Sequence, residues 1–138
     1  MIVYLLNILL VDDDKDTLRI VQKYFEKKGA HVSTYSNPLL ALQNFMENSN
    51  ADNDNNYDLV ISDIRMPRMN GIELASTIRK MDQNIPIMLI TASSSMADID
   101  KSILKILNIE DIFTKPIKLK DLLEKINTVK QKIIVKHP

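Results

Sequence analysis

The chain contains no cysteine and no tryptophan, and its 18 basic residues are balanced by 18 acidic ones, leaving a formal charge of zero. Without cysteine, disulfides, thiolate zinc sites and cysteine nucleophiles are excluded. The same absence suits a reducing cytoplasm. Balanced charge supplies no global field that would draw the protein to nucleic acid or to a membrane. Glycine is almost missing as well. The two present, Gly29 and Gly71, stand where helical patterns stop and start. The apolar N-terminal stretch from Met1 to Val11 has neither the basic leader nor the small-residue cleavage site of a secretory signal, and it is too short to cross a bilayer. It reads as an apolar lead-in to a buried first strand, and neither export nor membrane insertion is expected.

What is present is a 138-residue chain, 45% hydrophobic and 26% charged, enough for one domain with a substantial core. Four apolar runs end in chemically active residues. Ile8-Leu-Leu-Val11 leads into Asp12-Asp13-Asp14, and Asp58-Leu-Val-Ile-Ser leads into Asp63. Ile87-Met-Leu-Ile90 leads into Thr91, and Ile112-Phe-Thr leads into Lys115-Pro116. A fifth short strand is read at 30–35.

Between these runs apolar residues recur at helical spacing. Leu18, Val21, Tyr24 and Phe25 mark the first helix, and Asn37-Pro38 caps and starts a second with Leu39, Leu42, Phe45 and Met46 on its buried face. Asn70-Gly71 opens a third with Ile72, Ala75 and Ile78. The fourth carries Met96, Ile99, Ile103 and Leu107. The last holds Leu119, Leu122, Leu123, Ile126, Val129 and Ile133, and runs nearly to Pro138. No repeat and no linker to a further domain are found, so 1–138 reads as a single domain with its core at about 7–129.

Strict alternation of strand and helix implies right-handed crossovers and a parallel sheet covered on both faces. The expected fold is a flavodoxin-like doubly wound α/β domain with five helices and strand order 2-1-3-4-5. In such a sheet the carboxyl ends of the strands open on one crevice. Carboxylates, a hydroxyl and an ammonium converging there make a site for a divalent cation and a phosphoryl group.

These four motifs, in this order and over nearly the whole chain, resemble the receiver domain of two-component response regulators, of the single-domain type. The resemblance implies that Asp63 is the phosphoacceptor and that Asp12 and Asp13 are the acidic pair. It places the switch hydroxyl on Thr91 and the lysine with its cis-bonded proline on Lys115 and Pro116. It also implies a phosphoryl group donated by a sensor histidine kinase or phosphotransfer protein, with the signal passed to a downstream protein target by a conformational change. Such a protein is no enzyme beyond its own phosphorylation and dephosphorylation. A homodimer through the face of the fourth helix, fifth strand and fifth helix is a further partner option, and no direct contact with nucleic acid is implied. In the family, phosphate lifetime is tuned two residues past the acceptor and two past the threonine, here Arg65 and Ser93.

The chain departs from the family in three places. The aromatic switch position, three before the lysine, holds Ile112, with Phe113 expected on the opposite face of the strand. Asn108-Ile109 replaces the usual Gly-Ala. The Asn/Asp-rich stretch Glu47–Asn56, read as a surface loop, is long. Ile112 gives some weight to an alternative reading, an interaction module that keeps the fold but signals without phosphorylation.

The chemistry explains the residue types. A carboxylate attacks an already anionic phosphoryl group poorly unless a cation neutralises both. Mg²⁺, with Mn²⁺ as a substitute, takes about six hard oxygens. Asp13 and Asp63, with Asp12 directly or through water, supply anionic ligands, and the resemblance adds the backbone carbonyl of Arg65. At ~5 Å and an effective dielectric of ~20, each pair of these acids repels by roughly 3 kcal/mol. No stability argument favours such a cluster. Lys115 supplies a compact cation for the phosphoryl oxygens. Thr91 can donate to them only after the modification exists.

Other patterns carry less. The stretch from Asp52 to Asp63 matches calcium-loop spacing, but Tyr57 stands where the turn needs glycine. Asp12–Thr17 misses the register of the nucleophile motif in haloacid-dehalogenase-like phosphatases. His31 and His137 read as surface residues, and the methionines as core filler. The lysine-rich stretch from Lys115 to Lys136 reads as a solvated helix face, or else as a docking face for an acidic partner.

Overall fold

The structure is a computed structural model that describes residues 6–48 and 57–136. Five strands, β1 Asn7–Val11, β2 His31–Tyr35, β3 Leu59–Asp63, β4 Ile87–Ala92 and β5 Asp111–Lys115, alternate with helices α1 Lys15–Glu26, α2 Pro38–Glu47, α3 Gly71–Met81, α4 Lys101–Ile106 and α5 Leu119–Lys136. All neighbouring strands pair in parallel, in the order β2-β1-β3-β4-β5. This is the doubly wound sheet that the alternating pattern predicts.

Successive side chains of a strand point to opposite faces, and here both faces are apolar. Ile8, Leu10, Leu59, Ile61, Met88 and Ile90 join Leu18, Val21 and Phe25 of α1 and Leu122, Ile126 and Val129 of α5. Leu9, Val11, Val60, Ile87 and Leu89 join Ala41 and Phe45 of α2 and Leu74, Ala75 and Ile78 of α3. Continuous apolar strands, rather than alternating ones, are what a sheet buried on both sides requires.

Helix starts follow their caps. The Asp14 carboxylate accepts from the Asp16 amide and heads α1. Asn37 caps α2, whose first residue is Pro38. Asn70 and Glu73 exchange side chain and backbone bonds of 2.8 and 3.0 Å in a capping box at α3.

Several expectations are corrected. The helix predicted through Met96, Ile99, Ile103 and Leu107 is two pieces, a 3₁₀ segment Ser93–Asp98 and the short α4. Ile99 between them is extended, and Asp100 restarts the helix by accepting from the Ser102 amide. Capping by Asp100 competes with continuing the earlier turn. On α2, Leu39 and Met46 are exposed while Ala41 and Phe45 are buried. The helix turns its Ala41–Phe45 line to the sheet, so both ends of the predicted stripe swing outward. Of the methionines only Met88 is buried among the described residues. Where the family has glycine, Asn108 takes φ 53°, a left-handed conformation that asparagine tolerates better than most residues, so the turn into β5 survives. The first five residues of the calcium-like stretch (52–56), most of the Asn/Asp-rich stretch (49–56) and His137 lie outside the described residues. Tyr57 instead stacks on Phe45, and His31 is exposed.

Candidate functional site

Strand register alone assembles the site. Val11 lies opposite Ser62, which brings Asp12 level with Asp63. Asp63 lies opposite Ile90, so Thr91 follows immediately on the next strand. Ala92 lies opposite Lys115. Carboxylate oxygens of Asp12, Asp13 and Asp63 all fall within 4.8 Å of one another. Asp12 and Asp63 are 0% and 5% exposed, whereas Asp13 is exposed.

One cation serves the two buried acids. Lys115 Nζ stands 3.1 Å from Asp12 Oδ2 and 3.4 Å from Asp63 Oδ2. The backbone fixes both carboxylates from the other side: the Asp14 amide donates to Asp12 Oδ1 at 2.9 Å and the Ile64 amide to Asp63 Oδ1 at 2.9 Å. Asp14 itself turns away to cap α1, also accepting from Thr17 Oγ1. The third acid of the run therefore belongs to the helix rather than the cluster. The Lys115–Pro116 bond is cis, as the resemblance implies.

Burial pushes the Asp63 carboxyl up to about 6, reinforced by the Asp12 charge and opposed by Lys115. Asp12 is also raised, chiefly by burial, against the Asp14 amide and Lys115. Burial depresses Lys115, but hydrogen bonding and charge from Asp12, with the Asp63 charge, outweigh it and raise the ammonium. Two acids and one lysine leave one negative charge in excess, with exposed Asp13 beside it. A divalent cation fits this donor set: three hard oxygens, excess negative charge and an open side toward solvent.

Thr91 Oγ1 is buried and has no hydrogen-bond partner among the described residues. Such groups are rare in native proteins and call for an explanation; a phosphoryl oxygen on Asp63 would supply the missing acceptor. Arg65 and Ser93 are both exposed, and the Arg65 guanidinium pairs with Asp98 at 3.5 Å. Ile112 is half-buried on the α2–α4 side with Leu104 and Ile109, and Phe113 lies on the α1–α5 side. On α5, Lys120, Asp121 and Glu124 are exposed and Leu122 and Leu123 buried, the pattern of a solvated helix face.

Three contributors were missed from the sequence. A Cβ on Gly71 would sit 2.2 Å from the Asp63 carbonyl oxygen, so only glycine lets α3 begin against the loop that follows Asp63. The Asn-Gly pair signalled a helix start but not this approach. Buried Ser95 and exposed Asp98 face the same cleft as Thr91. No spacing rule marks them, because a 3₁₀ segment replaces the expected helix.

A sequence model of the response regulator receiver domain matches residues 8–127. The heme response regulator HssR of Staphylococcus epidermidis is 34% identical over 91% of this chain and 51% of its own length. The chain thus spans about half the length of the first curated relatives it matches. The response regulator receiver protein CpdR of Brucella abortus is 34% identical over 87% of this chain and 92% of its own. Among solved structures, the response regulator TrrA of Thermotoga maritima in complex with Mg(2+)-BeF superposes with a TM-score of 0.73 at 29% identity, covering 90% of this chain and 98% of that one.

Proposed function

Because the chain belongs to the response regulator receiver domain family, we propose that it is a phosphoacceptor switch that takes a phosphoryl group on Asp63 and relays a signal through its surface. The donor is the phosphohistidine of a sensor kinase or phosphotransfer protein, and the signal passes to a downstream protein target. One observation carries this reading. A single lysine holds two buried, mutually repelling aspartates beside a buried threonine hydroxyl that has no partner among the described residues.

In the transfer, an Asp63 carboxylate oxygen bonds to phosphorus as the phosphorus–nitrogen bond to the donor histidine breaks, and the imidazole leaves with the bonding pair. The Ile64 amide and Lys115 hold the two Asp63 oxygens in fixed directions, so the nucleophile is oriented before the donor arrives. Asp12, Asp13, Asp63 and the Arg65 backbone carbonyl would hold Mg²⁺, which neutralises phosphoryl charge when bound. The solved complex of TrrA with Mg(2+)-BeF supports that fit. Lys115 can follow the new oxygens without leaving Asp12. Thr91 Oγ1 then donates to one of them, which pulls β4 and the 3₁₀ segment toward the site. Arg65 and Ser93 flank the opening and set how readily water reaches the acyl phosphate. The catalysis is confined to the chain's own Asp63, and the proposed place of action is the cytoplasm, where the family's kinases present their phosphohistidine.

Intact mass after incubation with Mg²⁺ and a small phosphodonor tests the proposal. The wild type should gain one phosphoryl group, and Asp63→Asn should gain none while remaining folded. An unmodified wild type would favour the phosphorylation-independent interaction module instead.

A further inference from the structure

The loop after β3 and the 3₁₀ segment after β4 face each other across a cleft of about 360 Å³, lined among others by Ile64, Arg65, Thr91, Ser95, Asp98 and Ile99. Thr91 and Ser95 are buried at its base. At its rim Arg65 Nη2 meets Asp98 Oδ2 at 3.5 Å, with the two side chains 69% and 72% exposed. Among the described residues it is the one ion pair that joins these two loops. A pair this hydrated adds little to stability; its importance lies in where it stands. Arg65 is two residues past Asp63. Asp98 ends the 3₁₀ segment, next to the extended Ile99 from which α4 departs.

We propose that Asp98 is a positioning residue for the phosphoryl chemistry: it holds the Arg65 guanidinium across the cleft and competes for it with a phosphoryl group on Asp63. This rests on the phosphoacceptor reading of Asp63. A phosphoryl group brings roughly −1.5 to −2 charge and three strong acceptor oxygens. A guanidinium matches those oxygens in a forked geometry and gains more from them than from one hydrated carboxylate. When Arg65 turns to the phosphoryl group, Asp98 is released. The 3₁₀ segment then loses its tie to the acceptor loop at the moment Thr91 gains a partner. The ion pair therefore belongs to the unmodified state, and an interaction made in only one of two states biases the equilibrium by its own worth. For an exposed pair that is about two- to fivefold.

The test is a double-mutant cycle on the full chain with Asp98→Asn, Arg65→Gln and the pair together. The probe is beryllofluoride, a fluoride mimic of a phosphoryl group, titrated calorimetrically in excess Mg²⁺. Asp98→Asn alone should tighten binding about two- to fivefold, and in the Arg65→Gln background it should change nothing. The gain should shrink at 1 M salt, which a purely structural role would not do. Without metal or probe, both single variants should speed amide exchange at 93–99 to the same degree, which reads the tie itself. An equal gain in both backgrounds, no gain, or unchanged exchange overturns the role of Asp98 alone. A wild type that binds no beryllofluoride overturns the phosphoacceptor reading, and the competition with it.

Discussion

β1 and β3 are buried nearly throughout, whereas β5, at the edge of the same sheet, is exposed or half-exposed at every position. The acids stand on the first pair and are gripped by amides. Around the edge strand the chain turns to a 3₁₀ segment, a joint at Ile99, a short α4 and Ile106 at 79% exposure. One half of the domain thus holds the carboxylates in fixed directions, and fewer side chains are buried around the edge strand. That division suits a switch, since low local packing is where opening is cheapest. The edge is also tied from α3. The Arg79 guanidinium donates to the carbonyls of Asp82, Ile85, Leu107 and Asn108, pinning the far end of α4 while its near end stays next to Thr91.

The contrast can be broken most sharply on the rigid side. Asp63→Asn should abolish phosphoryl uptake altogether, yet raise metal-free stability at neutral pH by about 1–3 kcal/mol by removing a buried charge. Mass spectrometry and urea unfolding read the two effects. A destabilised variant would show that the acceptor contributes to the fold instead of straining it. Gly71→Ala should cost about 1–3 kcal/mol, because the added carbon meets the Asp63 carbonyl; a denaturation midpoint equal to wild type would refute the close approach.

Titration sharpens the comparison further. The folded state lifts Asp63 from 3.8 to about 6, so it holds that proton more tightly than the unfolded chain. The resulting stabilisation is full below about 3.8 and is lost as pH rises through about 6. Wild type should therefore fall behind Asp63→Asn between pH 4 and 7 by roughly 2 kcal/mol, measured without metal. Parallel curves would remove the argument. Mg²⁺ binds only the folded cluster, so at 100 times its Kd it should add about 2.7 kcal/mol, seen as a raised Tm that largely disappears in Asp13→Ala.

Legibility from sequence follows the same division. β1, β3 and β4 were readable because a sheet covered on both faces demands unbroken apolar runs, and each run leads into one of the polar residues of the cluster, Asp12, Asp63 or Thr91. The order of strands followed from alternation and handedness. The region after Thr91 was not readable. Met96, Ile99 and Ile103 fit one helical period, but that pattern cannot register Asp100 capping a fresh helix, and it was extrapolated through the joint. The exposure of Leu39 and Met46 was missed for a related reason: periodicity finds a stripe but not which part of it faces the sheet. The Arg65–Asp98 pair joins residues 33 positions apart in loops, where no spacing rule reaches.

The smallest expected effect concerns Ile112. A β-branched side chain has few rotamers and cannot swing a large ring between two states. On phosphorylation, NMR shift changes should be largest at 91–99 and small at Ile112. A dominant change at Ile112 or Phe113 with a quiet 91–99 segment would move the switch to β5.

The central claim is that Asp63, and no other acid of the cluster, receives the phosphoryl group. Borohydride cleaves an acyl phosphate reductively and converts the aspartate that carried it to homoserine. Peptide mapping of the phosphorylated, borohydride-treated wild type should place homoserine at position 63 alone. Homoserine at position 12, 13 or 14 with an unchanged Asp63 would contradict the account.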